Sequence, residues 1–268
     1  MTADMAVLVR DLGAESEVVQ QMLGGLEPAD YDRATPADGW AIRDQLSHLA
    51  YFDTMEILAI AEPERFLAAT DELLEHGNSF VDEIAKKYSH MPAGDLREWF
   101  TTTRTRLIAA FSALNPRTRL PWVGLEMSAA SAVSARLMET WAHGQDIADT
   151  IGFVSEPTER LRHIAHLGVS SFAFSHRLHG IEVPQAAVRV ELVSPAGAVW
   201  RWGPERSADS VEGSALDFCM VATQRRNLAE TGLAVHGLIA SRWMSIVQAY
   251  AGPPGRGREP GGFRRGQR

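Results

Sequence analysis

The chain has 268 residues, enough for two ordinary domains or one large one. Hydrophobic residues make up 45% and charged residues 22%, the balance of a soluble globular protein, and the formal net charge of -8 argues against nucleic acid or an anionic membrane as a general partner. Cys219 is the single cysteine, which excludes an intramolecular disulfide.

The chain opens without a basic segment followed by an apolar core. No stretch approaches the roughly 18 continuous apolar residues of a membrane span, so a cytoplasmic protein is expected. Lys86 and Lys87 are the only lysines against many arginines, a bias we read as that of a GC-rich bacterial genome.

Apolar residues at helical spacing (Met5, Leu8, Val9, Leu12, Val18, Val19, Met22, Leu23) predict a helix over 4–26. Pro28, Pro36 and Asp38-Gly39 make the next segment turn-rich. The stripe Ile42, Leu46, Leu49, Met55 and Leu58 predicts a second helix over 40–61, with His48 and Phe52 beside it. Pro63 opens a shorter helix that should stop at His76-Gly77-Asn78. A short helix over 82–89 and a longer one over 95–114 follow, the latter closed by Asn115-Pro116. A non-helical bridge containing Pro121, Trp122 and Gly124 leads to Ser128, a candidate N-cap, and a helix that should stop at Gly152. One further helix is expected over 158–178.

After Pro184 the pattern changes. Residues 188–193 and 199–202 alternate and read as a hairpin, and Val211 begins a candidate third strand. A helix over 216–230, a strand over 233–236 and a last amphipathic helix over 239–250 complete the pattern. The tail from 252, rich in Gly, Pro and Arg, is expected to be disordered. The fold class read from this is α plus α+β: a helical bundle over 1–182, a small α+β domain over 183–251 and the tail over 252–268.

The chemistry concentrates in Glu139-Thr-Trp-Ala-His143 and in His48. Residues four apart on a helix project from one face, so Glu139 and His143 offer one carboxylate and one imidazole together. One imidazole from a neighbouring helix completes the ligand count of an open zinc site, which leaves a fourth position for water or substrate. Glu–His pairs at this spacing also occur on solvated helix faces. Here the pair lies among Leu137, Met138, Trp141 and Ala142, and carboxylates are rarely buried without a partner. Asp44, four residues before His48, and Asp146, three after His143, could each accept a ring N–H and fix a tautomer. Asp146 could instead be a fourth ligand, and both could simply be solvated.

A rival set is His163, His166, His176 and His179. On one straight helix the two pairs would stand about 20 Å apart, so pocket-rim or surface histidines are the favoured account. Phosphate loops of the Gly-rich kind and a Gly-x-Ser-x-Gly elbow are absent from the sequence. Trp200 and Trp202 fit either an aromatic binding surface or the small domain's core. Cys219, in an apolar run, is expected to be a buried core residue.

The motifs resemble those of the DinB-like superfamily, in particular the mycothiol-dependent maleylpyruvate isomerase type. The resemblance rests on Gly39-Trp40 with Arg43-Asp44 and His48-Leu49, on Glu139-x-x-x-His143-Gly144-x-Asp146, and on Trp243 with the segment from Gln248 to Gly255. It implies a DinB-like four-helix bundle holding Zn2+ or another divalent metal through His48, Glu139 and His143, and a sterol-carrier-like α+β domain. It implies a low-molecular-weight thiol such as mycothiol as cofactor, a small electrophile as substrate, and an isomerase or S-transferase activity in an actinobacterium. An arginine on the substrate carboxylates is also implied, with Arg225 and Arg226 as the candidates; a salt-bridging role for the pair is equally open. A metal-dependent hydrolase and a non-enzymatic metal- or thiol-binding protein are the alternatives, and a homodimer is one assembly open to it.

Overall fold

A computed structural model describes residues 4–75, 80–123 and 125–261. Its contacts divide the chain into two compact units, Met1–Val154 and Ser155–Arg268. No described helix is long and apolar enough to cross a membrane.

The first unit is built on four long helices: α1 (Met5–Gly24), α2 (Ile42–Ala61), α5 (Ala93–Ser112) and α6 (Ala129–Ile151). Two shorter helices, α3 (Pro63–Glu75) and α4 (Phe80–Tyr88), lie between α2 and α5 in the chain and pack on α2. The helix stop expected at His76-Gly77-Asn78 falls outside the described residues. Local chemistry sets the ends. Asp4 accepts a hydrogen bond from the N–H of Ala6 at 3.0 Å, and Ser128 accepts one from Ser131 at 3.1 Å, each satisfying an orphan donor of a first turn. Gly152 ends α6 in the left-handed region at φ 72°, the conformation glycine adopts without a Cβ clash.

Each long helix packs against two others, α1 and α2 both meeting α5 and α6. Between them lie Leu12, Leu23, Leu46, Leu49, Phe100 and Leu137, all without exposed surface. Helix α6 is buried on nearly every side, and a Cβ on Gly144 would stand 3.3 Å from Val19 of α1, so glycine sets how closely these two helices approach. The bridge is non-helical as expected, and it forms an antiparallel hairpin that the sequence did not announce, β1 (Arg119–Trp122) with β2 (Leu125–Ser128). Strands of four residues around a proline carry too little alternation to be read from sequence.

A polar cluster runs through this apolar core. Asp53 of α2 accepts from Arg104 of α5 at 2.6 and 3.1 Å, and from Arg136 of α6 at 3.1 Å. Arg104 also reaches Ser16 of α1 and Thr140 of α6, so one guanidinium ties all four helices. Glu56 lies one turn after Asp53, also buried, and one of its carboxyl oxygens has no partner among the described residues. Burial pushes the Glu56 carboxyl up to about 7, with Arg136 pulling it back and Asp53 adding to the rise.

The sign of the pH effect follows. Below the ordinary carboxyl value both folded and unfolded chains are protonated at Glu56. As pH rises toward 7 the unfolded chain ionises first, so folding loses up to about 3 kcal/mol, and no more is lost above it. Glu56→Gln should remove that loss. Urea midpoints at pH 5 and pH 8 should therefore separate the variant from the wild type more widely at the higher pH; an equal pH dependence would refute the assignment.

The second unit contains α7 (Leu161–Ser170), α8 (Phe172–Leu178), β3 (Arg189–Val193), β4 (Val199–Trp202), β5 (Ser210–Ser214), α9 (Ala215–Ala222), β6 (Ala234–His236) and α10 (Leu238–Met244). The strands order β4-β3-β5-β6, with β3 and β5 parallel and both edge pairings antiparallel. The hairpin and the third and fourth strands lie where alternation put them. The helices are shorter than periodicity suggested: α9 ends at Ala222 rather than near Glu230, α10 at Met244 rather than near Tyr250, and the helix expected over 158–178 breaks at Ser171.

The division also falls at Val154, not near residue 182, because α7 packs against α9 of the second unit. A Cβ on Gly168 of α7 would meet the Phe218 ring at 2.8 Å and the Ala222 Cβ at 3.0 Å. Gly168→Ala should thus destabilise this unit by about 1–3 kcal/mol despite its better helix propensity, measurable as a lowered melting temperature. The tail expected to be disordered from 252 is held as far as 261. Gly255 donates to the Gln248 side chain, the Asn227 side chain to the Arg258 carbonyl, and Gly261 to Glu230, at 2.9, 2.6 and 3.0 Å. Residues 262–268 lie outside the described residues.

Candidate metal centre

His48 comes from the first half of α2, and Glu139 and His143 from the middle of α6. Glu139 Oε2 lies 3.6 Å from His48 Nε2 and 3.1 Å from His143 Nε2. One ligand atom from each residue falls within 4.8 Å of the other two, and no other trio of His, Cys, Asp or Glu does so among the described residues. Two bonds of 2.0–2.1 Å at a tetrahedral angle separate their ends by about 3.3–3.4 Å, so these spacings suit one ion of zinc's size.

Both imidazoles are largely enclosed. Phe52 packs on His48 at a ring separation of 4.6 Å, while Trp40 stacks on His143 at 5.9 Å and tilts toward His48 at 5.4 Å. Trp40 is itself tied to α4, its indole N–H donating to Asp82 at 3.0 Å. Burial and the neighbouring His143 bring the His48 imidazole down to about 4, against the opposing pull of Glu139, so near neutral pH it is an uncharged donor. Burial alone would raise the Glu139 carboxyl. Hydrogen bonds and charge from His143 and His48 outweigh it and hold that carboxyl well below its ordinary value. The three side chains bring two imidazole nitrogens and one carboxylate oxygen together.

The sequence placed these three residues together but misjudged what orients them. Asp44 does not serve His48: its carboxylate accepts from the Ala41 N–H at 2.8 Å and caps the start of α2. His48 Nδ1 is buried with no partner among the described residues. Asp146 is buried on α6 but stands outside the trio. The residue that touches His143 is Gln45, fully buried, whose side-chain oxygen meets His143 Nδ1 and whose amide nitrogen donates to Thr35 at 2.8 Å. Its one sequence signal was its place on the His48 face, a turn before that residue.

Arg225 and Arg226 lie beyond the end of α9 rather than on it, and each donates to a nearby carbonyl, Thr223 and Arg225 respectively. Of the rival histidines, His176 and His179 direct Nδ1 at the carbonyls of Phe172 and Ser175, and His166 accepts from the Trp202 indole at 3.3 Å. Trp200 is buried, with Arg162 over its ring. Cys219 is fully buried, and burial pushes its thiol well above the usual range, so the chain's own sulfur is no ready nucleophile.

Two uncharacterized proteins from two strains of Mycobacterium tuberculosis are each 40% identical to the chain over 256 residues, covering 96% of it and 100% of their own length. The crystal structure of the mycothiol-dependent maleylpyruvate isomerase superposes with a TM-score of 0.58 at 13% identity, over 87% of this chain and 93% of that one. A histidine-to-alanine mutant of that enzyme gives the same TM-score at 15% identity. At such identities the likeness is one of fold. Residues 12–148 match the family described as the mycothiol maleylpyruvate isomerase N-terminal domain. The chain belongs to that DinB-like family.

Proposed function

We propose that the protein is a thiol-dependent isomerase or S-transferase whose cofactor is a low-molecular-weight thiol of the mycothiol kind, acting at a divalent metal, zinc in the first instance. In this reading the first unit is a DinB-like four-helix bundle, the second a sterol-carrier-like domain, and the substrate a small electrophile. One observation carries the metal. A carboxylate oxygen faces two imidazole nitrogens at 3.1 and 3.6 Å in a largely enclosed site. Such an arrangement needs a cation or a shared proton between acceptors, and three mixed nitrogen and oxygen donors suit a divalent ion.

His48, Glu139 and His143 would hold the ion, leaving one position open. An ion held there supplies Lewis-acid chemistry, lowering the pKa of a thiol that reaches it so that thiolate exists at neutral pH. Glu139 contributes the negative charge that stabilises the cation, and the two neutral imidazoles complete the set. Trp40 and Phe52 exclude water from the ligand face and so keep the local dielectric low. With Cys219 buried, the reacting sulfur comes from a second molecule. That thiolate adds to one carbon of a cis double bond, the resulting single bond rotates, and expulsion of the thiolate restores the double bond as trans. In the transferase variant the carbon–sulfur bond formed is retained.

The zinc-loaded protein supplied with mycothiol and maleylpyruvate should consume the cis isomer only when both thiol and metal are present, and His48→Ala should abolish the turnover. Hydrolysis of esters or amides with no thiol added would replace this reading with that of a metal-dependent hydrolase.

A further inference from the structure

The contacts behind His143 form a chain in which each hydrogen bond dictates the direction of the next. The Thr35 hydroxyl donates its only proton to the Trp40 carbonyl at 2.8 Å. Its oxygen must therefore accept from Gln45, so the Gln45 NH2 faces Thr35, at 2.8 Å, and the Gln45 carbonyl oxygen faces His143 Nδ1. An amide oxygen only accepts, so Nδ1 of His143 carries a proton, and Nε2 is the ring nitrogen that faces Glu139. The same segment holds the ring from its face. The Thr35 backbone donates to the Trp40 carbonyl, Ala34 and Ala41 form a β-bridge, and the Trp40 ring stacks on His143.

We propose that Gln45, with Thr35 behind it, is a positioning residue that fixes the tautomer and ring orientation of His143 for metal binding. His48 has no such support at Nδ1, which lacks a partner among the described residues; Phe52 packs against its ring. Behind Nδ1 the two imidazoles thus differ, one meeting Gln45 with Thr35 beyond it and the other packed on Phe52. Removing the amide leaves a buried N–H unsatisfied and frees the His143 ring to protonate Nε2, the nitrogen the metal requires. Outer partners of this kind typically matter about 10–100-fold in metal affinity.

The inference rests on the metal reading above, and its test keeps the two apart. Zinc affinity would be measured by chelator competition for the wild type, His143→Ala, Gln45→Met (similar shape, no acceptor) and Gln45→Glu (acceptor oxygen kept). Beside these, the His143 tautomer in the metal-free wild type would be read by 15N NMR. The expected results are a 10–100-fold loss in Gln45→Met, recovery in Gln45→Glu, and a protonated Nδ1 on His143. Wild-type affinity in Gln45→Met, a loss that Gln45→Glu does not recover, or a metal-free His143 protonated mainly at Nε2 would overturn the proposal. The NMR result decides the matter even where Gln45→Met does not fold. Failure of the metal reading looks different: wild type and His143→Ala would then bind zinc equally weakly.

Discussion

Asp53→Ala should destabilise the first unit by about 3–5 kcal/mol, the scale for breaking a buried ion pair by deleting one partner. Asp53 has no exposed surface and pairs with both Arg104 and Arg136, each almost as buried. Its removal leaves two guanidinium groups in an apolar core without the carboxylate they share. For a unit of this size the loss corresponds to a fall in melting temperature of about 10 °C. The exposed pair Arg65–Glu62 sets the contrast, since solvent-screened pairs contribute little. Thermal denaturation of both variants would measure the difference, and a drop in Asp53→Ala no larger than in Glu62→Ala would contradict the assignment.

The second large effect concerns binding. Glu139→Gln keeps the size of the side chain and removes the charge that faces both imidazoles. A neutral amide is a poor ligand for a hard divalent ion, and its NH2 can turn toward the nitrogen lone pairs. Zinc affinity should fall by more than about 100-fold, beyond the range of outer-partner substitutions, while the melting temperature of the metal-free protein changes little. Calorimetric titration of zinc into the metal-free variant reads the first quantity. A loss below tenfold would remove Glu139 from the ligand set.

The part of this site legible in the sequence was the part set by helical periodicity. Four-residue spacing on an apolar helix placed Glu139 and His143 on one face, and a histidine beside the α2 stripe supplied the third group. What periodicity cannot show is where a polar side chain turns once its helix is packed. Asp44 looked like a partner for His48, but its own helix start offered an unsatisfied N–H closer at hand. Gln45 looked unremarkable because its role depends on Thr35, brought to it by the turn before α2. Asp53, Arg104 and Arg136 went unread for the same reason: they are 51 and 83 residues apart along the chain, and only the packing of α2, α5 and α6 joins them.

Fold boundaries failed where local signals gave out. Helical periodicity continued through Ser171 and past Ala222, where the backbone turns, and the 115–127 bridge was too short to announce a hairpin. The change of pattern after Pro184 marked where strands begin, whereas the units divide at Val154 because α7 packs with α9.

The most direct test of the central claim is the zinc content of the purified protein at equilibrium, compared across wild type, His48→Ala and Glu139→Ala. One equivalent in the wild type, lost in both variants while they stay folded, is the predicted result. Zinc retained equally in all three, or absent from the wild type at saturating metal, would contradict it.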